Sequence, residues 1–141
     1  MHKTHETANK PTILVADDAL EIRNLISAIL DPDYKVIAVN NGAEALKLAQ
    51  SDTPPNMILL DIMMPEMSGY EVCKQLKADT RTRDIPVIFL SAMAGEGNEA
   101  QGRALGAVDF LTKPIDPYNV VIKINGYFAL IQKQNELNSL K

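Results

Sequence analysis

The stretch NMILLDIMMPEMSG, Asn56 to Gly69, decides how this chain is read. Four apolar residues, Met57 to Leu60, run directly into a carboxylate, Asp61, and a proline and a glycine follow. A short, unbroken apolar run bounded by breakers has the pattern of a strand buried on both faces. A second run, TILVADD from Thr12, ends on two carboxylates, Asp17 and Asp18. Strands that finish on acids pose one question: what gathers at the ends of the sheet?

Working outward, KVIAV, VIFLSA and the start of VDFLTKP supply three more strand-like runs. Helical patterns separate them. Ile22, Leu25, Ile26 and Ile29 are spaced for one helix face, with Pro32 just past its end. Asn41 and Gly42 can open a second helix over strong helix formers. YEVCKQLKA predicts a third, with Val72, Cys73 and Leu76 inward. GEGNEAQGRALGA predicts a loop and a weaker helix interrupted by Gly102, and the cluster Gly95, Gly97, Gly102 suits a mobile segment or mere low helical propensity. A last helix starts at Pro117, with Val121, Ile124, Phe128 and Ile131 as one stripe. Strand and helix alternate five times. This defines an α/β fold: a doubly wound, five-stranded parallel sheet with helices on both faces.

Composition supports one soluble domain. The chain has 141 residues, 46% hydrophobic and 23% charged, enough to bury a core without staples. Net charge is −4 and no basic stripe occurs, which disfavours direct nucleic-acid binding and an anionic membrane surface. No apolar run is long enough to span a bilayer. The opening MHKTHETANK lacks the apolar core of a signal peptide, so residues 1–10 read as a flexible leader and the cytoplasm as the location. His2 and His5, the two histidines, both fall there. Cys73 is the single cysteine, so no internal disulfide or thiolate metal site can form.

In an open parallel sheet, ligands bind beyond the carboxyl ends of the strands. Asp17 and Asp18 end the first strand, Asp61 the third and Ser91 the fourth, and Lys113 follows the fifth. All five fall on one rim. Carboxylates held together repel unless a cation compensates. Magnesium, which takes oxygen ligands and only one or two protein carboxylates, fits better than zinc, because the rim has no His or Cys; manganese shares the oxygen preference. Such a site with a lysine and a hydroxyl suits phosphoryl transfer, and a carboxylate can itself be the nucleophile, forming an aspartyl phosphate.

The elements ILVADD, MILLDIMMPEMSG, VIFLSA and DFLTKP, in this order, resemble the response-regulator receiver domain of two-component signalling, of the chemotaxis-receiver type. The resemblance covers about residues 11–128. It implies a flavodoxin-like strand order 2-1-3-4-5. It implies that Asp61 is the phosphoacceptor, and that magnesium is held by Asp18, Asp61 and the Met63 backbone carbonyl, with Asp17 acting through water. Ser91, Lys113 and the Ala92 backbone would bind the phosphoryl group. Phe110 would be the aromatic that turns inward when the Ser91 hydroxyl moves, changing the surface of the fourth helix, fifth strand and fifth helix. Pro114 would follow a cis bond. Met63 and Met93 occupy the positions that tune phosphoryl lifetime; both are apolar and neither can orient an attacking water. A persistent aspartyl phosphate is therefore expected.

The resemblance also implies partners: a sensor histidine kinase or phosphotransfer protein as donor, and an effector domain in the full-length protein. Residues 129–141 would form a helical extension leading to that effector, in related architectures a histidine kinase or diguanylate cyclase. A helix over 117–141 would be about 37 Å long. Leu130 and Leu137, seven apart, offer a face for a homodimer, against the alternative of a polar tail that frays beyond about Ile131, helped by Gly126. Two rival readings remain. A magnesium-dependent phosphatase with an aspartate nucleophile would want a carboxylate two residues after Asp61, where Met63 stands, and a substrate cap. A phosphate-independent scaffold would not need the intact five-residue set.

Overall fold

A computed structural model describes residues 10–92 and 96–139, with the backbone alone for 96–98. His2, His5, Met93 and Gly95 lie outside the described residues. Five strands alternate with five helices: β1 Thr12–Ala16, α1 Leu20–Leu30, β2 Lys35–Val39, α2 Gly42–Ala49, β3 Met57–Asp61, α3 Gly69–Ala78, β4 Val87–Ser91, α4 Glu96–Ala104, β5 Asp109–Thr112 and α5 Pro117–Ser139. The sheet is wholly parallel with order β2-β1-β3-β4-β5. The chain order therefore reverses at β1, and the crevice beside β1 and β3 faces their carboxyl ends.

Strand periodicity divides the core into two layers. Leu14, Ala16, Ile58, Leu60, Val87 and Phe89 point to one face, against Ala45, Leu46 and Ala49 of α2 and Val72, Cys73 and Leu76 of α3. Ile13, Val15, Met57, Leu59, Ile88 and Leu90 point to the other, against Ile26 and Leu30 of α1 and Val120 and Ile124 of α5. Successive residues alternate faces, and with both faces covered the strands read as continuous apolar runs. β2, an edge strand, is the exception: Lys35 and Ala38 are exposed.

Local chemistry sets the helix starts. Asn41 Oδ1 accepts the Glu44 N–H at 2.8 Å, and Ser68 Oγ accepts that of Glu71 at 3.2 Å, both side-chain N-caps. α1 is preceded by Ala19, which offers no such cap; there the Asp17 carboxylate accepts the Ala19 N–H at 2.9 Å.

Three sequence expectations are corrected. Leu25 belongs to the exposed side of α1, and the buried stripe is Ile26 and Leu30 with Ile22 and Ile29 partly covered. In α5 the buried residues are Val120 and Ile124, and Val121 is only partly covered. Gly102 does not interrupt α4, which runs through it to Ala104; it is buried against Phe89 and Phe110. The α1 correction has a measurable consequence. Ile26→Ala should cost about 2–5 kcal/mol in urea denaturation, as for other buried aliphatic truncations, whereas Leu25→Ala should stay within about 1 kcal/mol.

α5 continues as helix through Gly126 to Ser139, about 35 Å. Its middle is tied down by Tyr34, whose ring stacks on Phe128 with centroids 5.3 Å apart and whose hydroxyl donates to Asn125. From Gln132 to Ser139 every residue is exposed. The polar end of α5 is thus exposed helix that continues past Gly126.

Candidate functional site: an acidic rim with a lysine

Five polar residues sit where β1, β3, β4 and β5 end. Asp17, fully buried, follows β1 directly; Asp61, 3% exposed, is the last residue of β3; Ser91 is the last of β4; Lys113 follows β5. Asp17, Asp18 and Asp61 each offer a carboxylate oxygen within 4.8 Å of the others. The Lys113 ammonium reaches Asp17 Oδ2 at 2.9 Å and Asp61 Oδ1 at 3.3 Å. The register delivers this convergence. Asp61 pairs with Leu90 across β3 and β4, and Ser91 with Thr112 across β4 and β5; the Lys113 N–H then donates to the Ser91 carbonyl at 2.7 Å.

The supporting contacts hold the loop ends in place. The Met63 N–H donates to Asp61 Oδ1 at 3.3 Å, while the Met63 side chain is 74% exposed. Arg23 Nη1 donates to the Asp17 carbonyl at 2.8 Å. Gly69 N–H donates to the Ile62 carbonyl at 2.8 Å, pinning the start of α3 onto the end of β3. Glu66, in the loop between them, has φ 70°, left-handed and uncommon for a side chain other than glycine. The Lys113–Pro114 peptide is cis. Phe110 lies inward, 4% exposed, 5.8 Å from the Phe89 ring.

The electrostatics are unbalanced. Burial, and next the charge of Asp17, push the Asp61 carboxyl up from 3.8 to about 6, against the opposing pull of Lys113 and the Met63 N–H. Burial works against the Lys113 ammonium, yet its close contact with Asp17 and the charges of Asp61 and Asp17 outweigh it, and its pKa lies above the ordinary lysine value. One lysine thus faces three acids. Asp17 Oδ2 is buried without a hydrogen bond of good geometry; the lysine contact at 2.9 Å is close enough for charge attraction but poorly aligned. A buried acceptor of this kind wants a further cation. The donor set is all oxygen, open at Asp18 and Met63, and fits a hard divalent ion such as magnesium.

Sequence reasoning named the five rim residues, and the fold brings them together. It missed Arg23, for which a basic residue one turn into α1 is too weak a signal. It read Gly69 only as part of a loop, and Gly102 as a helix interruption within a glycine cluster suited to a mobile segment or to mere low helical propensity. A groove of about 680 Å³ lies elsewhere, between Pro11, Asn56 and Pro86 and the Phe128–Ile131 part of α5. These residues adjoin the opposite, amino ends of the strands, so the groove has no part in the rim chemistry.

The chain belongs to the response regulator receiver domain family, which its sequence matches over residues 13–125. It is 48% identical over 105 residues to response regulator PleD of Caulobacter vibrioides, an alignment covering 74% of this chain and 23% of that protein. Among solved structures it resembles chemotaxis response regulator CheY4 of Vibrio cholerae, with TM-score 0.78, 29% identity and coverage of 83% of this chain and 98% of that one. It also resembles the receiver domain of sensor histidine kinase PA1611 from Pseudomonas aeruginosa PAO1, solved with a magnesium ion in its active-site cleft, with TM-score 0.77, 26% identity and coverage of 85% and 98%. The chain is thus a receiver of two-component signalling and spans about a quarter of the length of PleD. No helix among the described residues is long and apolar enough to cross a membrane.

Proposed function

We propose that the protein is a phosphoacceptor switch in which Asp61 takes a phosphoryl group from a phosphohistidine on a sensor kinase or phosphotransfer protein. The observation that carries this reading is the meeting of Asp17, Asp18, Asp61 and Lys113 at the rim where β1, β3 and β5 end. An Asp61 carboxylate oxygen attacks phosphorus; the P–N bond breaks, and its electron pair stays on the donor imidazole. Lys113 and Ser91 hold phosphoryl oxygens as charge-assisted partners, with the Ala92 N–H as a further donor. Asp18, Asp61 and the Met63 carbonyl would hold magnesium, with Asp17 through water. When bound, the ion neutralises the acids and the incoming phosphoryl charge. Turnover of phosphate esters is disfavoured because Met63 stands where a phosphatase would carry its second carboxylate.

The same reading assigns residues 11–128 to the receiver and 129–141 to a helical connection toward an effector domain, in a cytoplasmic protein. Exposed Ile122, Leu130 and Leu137 on α5 are the face offered to a second copy. Switching acts through Ser91 and Phe110 on the α4-β5-α5 surface.

The test is stoichiometric capture: protein, magnesium and either beryllofluoride or a small acyl-phosphate donor should give one adduct per chain, lost in Asp61→Asn. An adduct that persists unchanged in that variant would sink the assignment. The exposed thioether of Met63 cannot position water for hydrolysis. The phosphorylated protein should therefore keep its phosphoryl group well beyond seconds with magnesium present, and Met63→Asn should shorten the lifetime measurably. Loss within seconds from the wild type contradicts this.

A further inference from the structure

We infer that Gly102 is a positioning residue: a socket on α4 whose missing side chain allows Phe110 to occupy its inward place. This deepens the switch reading above and rests on it for its functional meaning, although the packing claim can be tested without phosphate.

The geometry is specific. A Cβ on residue 102 would lie 2.5 Å from Phe110 Cζ, and 2.9 and 3.0 Å from two atoms of the Phe89 ring. Real Cβ atoms do not come that close to aromatic carbons, so one of the rings or α4 itself must give way. Phe89 is the worse candidate to move. It is fully buried on β4, with Tyr70 edge-on at 5.3 Å on one side and Phe110 at 5.8 Å on another. Phe110 is on β5, at the edge of the sheet, and is therefore the ring we expect to turn outward.

The socket is closed from above. The Arg103 guanidinium lies 5.5 Å over the Phe110 ring, with an ion pair to Asp109 at 3.8 Å and a hydrogen bond to the Val108 carbonyl at 3.3 Å. Lys123 on α5 joins the same carboxylate at 3.2 Å and donates to the Phe110 carbonyl at 2.7 Å. The ring therefore sits between a bare backbone on α4 and a cation from the next residue, and the α4-β5-α5 surface is assembled around it. A side chain at 102 would bias the aromatic outward whatever the state of Asp61.

The experiment labels the three phenylalanines of the full chain with fluorophenylalanine and follows them by ¹⁹F NMR in wild type, Gly102→Ala, Phe110→Ala and the double variant, with Phe110→Leu assigning the signal. In the wild type the Phe110 resonance should be insensitive to exchange of H₂O for D₂O. In Gly102→Ala it should acquire the solvent isotope shift of an exposed ring, before and after beryllofluoride. Phe110→Ala empties the site, so the double variant should melt higher than Gly102→Ala, a rescue that a general intolerance of α4 to alanine would not give. A Phe110 signal that stays buried in Gly102→Ala, or a double variant no more stable than Gly102→Ala, overturns the socket. If Gly102→Ala does not fold, folding of the double variant supports the socket and its failure to fold overturns it. Failure of the wild type to take beryllofluoride at Asp61 removes the switch reading and leaves the packing result standing.

Discussion

Asp61→Asn should abolish phosphoryl uptake and at the same time make the metal-free protein more stable. The two effects share one cause. Burial and the Asp17 charge raise the Asp61 carboxyl from 3.8 to about 6 in the folded protein, while the unfolded chain ionises near the ordinary value of about 4. Between these values the native state binds more protons than the unfolded state, so its stability falls as pH rises. The stability associated with Asp61 is fully present below about pH 4 and lost as pH passes the folded value near 6. The difference is worth about 3 kcal/mol at neutral pH as an upper bound. Asparagine keeps the shape and carries no charge to desolvate. Denaturant unfolding in chelator at neutral pH should place Asp61→Asn above wild type by about 1–3 kcal/mol, converging below about pH 4. Magnesium should narrow the gap by stabilising the wild type selectively. A variant that is equally stable or weaker at neutral pH would mean that the acid cluster is not strained as described.

Gly69→Ala should be the most damaging single-methyl change near the site. A Cβ at residue 69 would lie 2.2 Å from the Asp61 carbonyl oxygen, 2.9 Å from its carbonyl carbon and 3.0 Å from Ile62 Cα. All three are backbone atoms at the end of the central strand, so no side chain can swing aside. The chain must either pull α3 away from β3, losing the Gly69 N–H bond to Ile62, or shift the acceptor. We expect a loss of about 3 kcal/mol or more, at the upper end of what an extra methyl costs in a packed site, with weaker capture of beryllofluoride because Asp61 moves. Gly126→Ala is the control. Nothing lies within 4 Å of its Cβ direction, and it sits in an exposed stretch of α5; there alanine should stabilise by up to about 1 kcal/mol through helix propensity. Equal effects at the two glycines would contradict the packing described for the β3–α3 junction.

The residues that were legible in the sequence share a physical property. Asp17, Asp61 and Ser91 each terminate or follow an unbroken apolar run, Lys113 follows the shorter run DFLT, and a parallel topology sends all such termini to one edge. Run length and polarity therefore carry the site. The two glycines were not legible in role, because glycine marks turns, caps and close approaches alike; only the neighbouring backbone of Asp61 and the rings of Phe89 and Phe110 distinguish these uses. The helix phases were readable to within one residue. Each step turns the helix by about 100°, so an apolar Leu25 or Val121 beside the true stripe shifts the apparent face while Ile26 and Val120 take the core. Tyr34 was silent for a similar reason: its partner Phe128 is far away in sequence and reaches it only because α5 crosses beside α1.

The most direct measurement of the central claim is chemical trapping of the acceptor. The protein is phosphorylated with a small acyl phosphate and magnesium, reduced with borohydride, digested and sequenced by tandem mass spectrometry. An aspartyl phosphate is reduced to homoserine, so the expected result is homoserine at position 61 alone, dependent on magnesium. Homoserine at Asp17 or Asp18, or an unmodified peptide after full exposure to donor, would contradict the assignment of Asp61 as the residue that carries the signal.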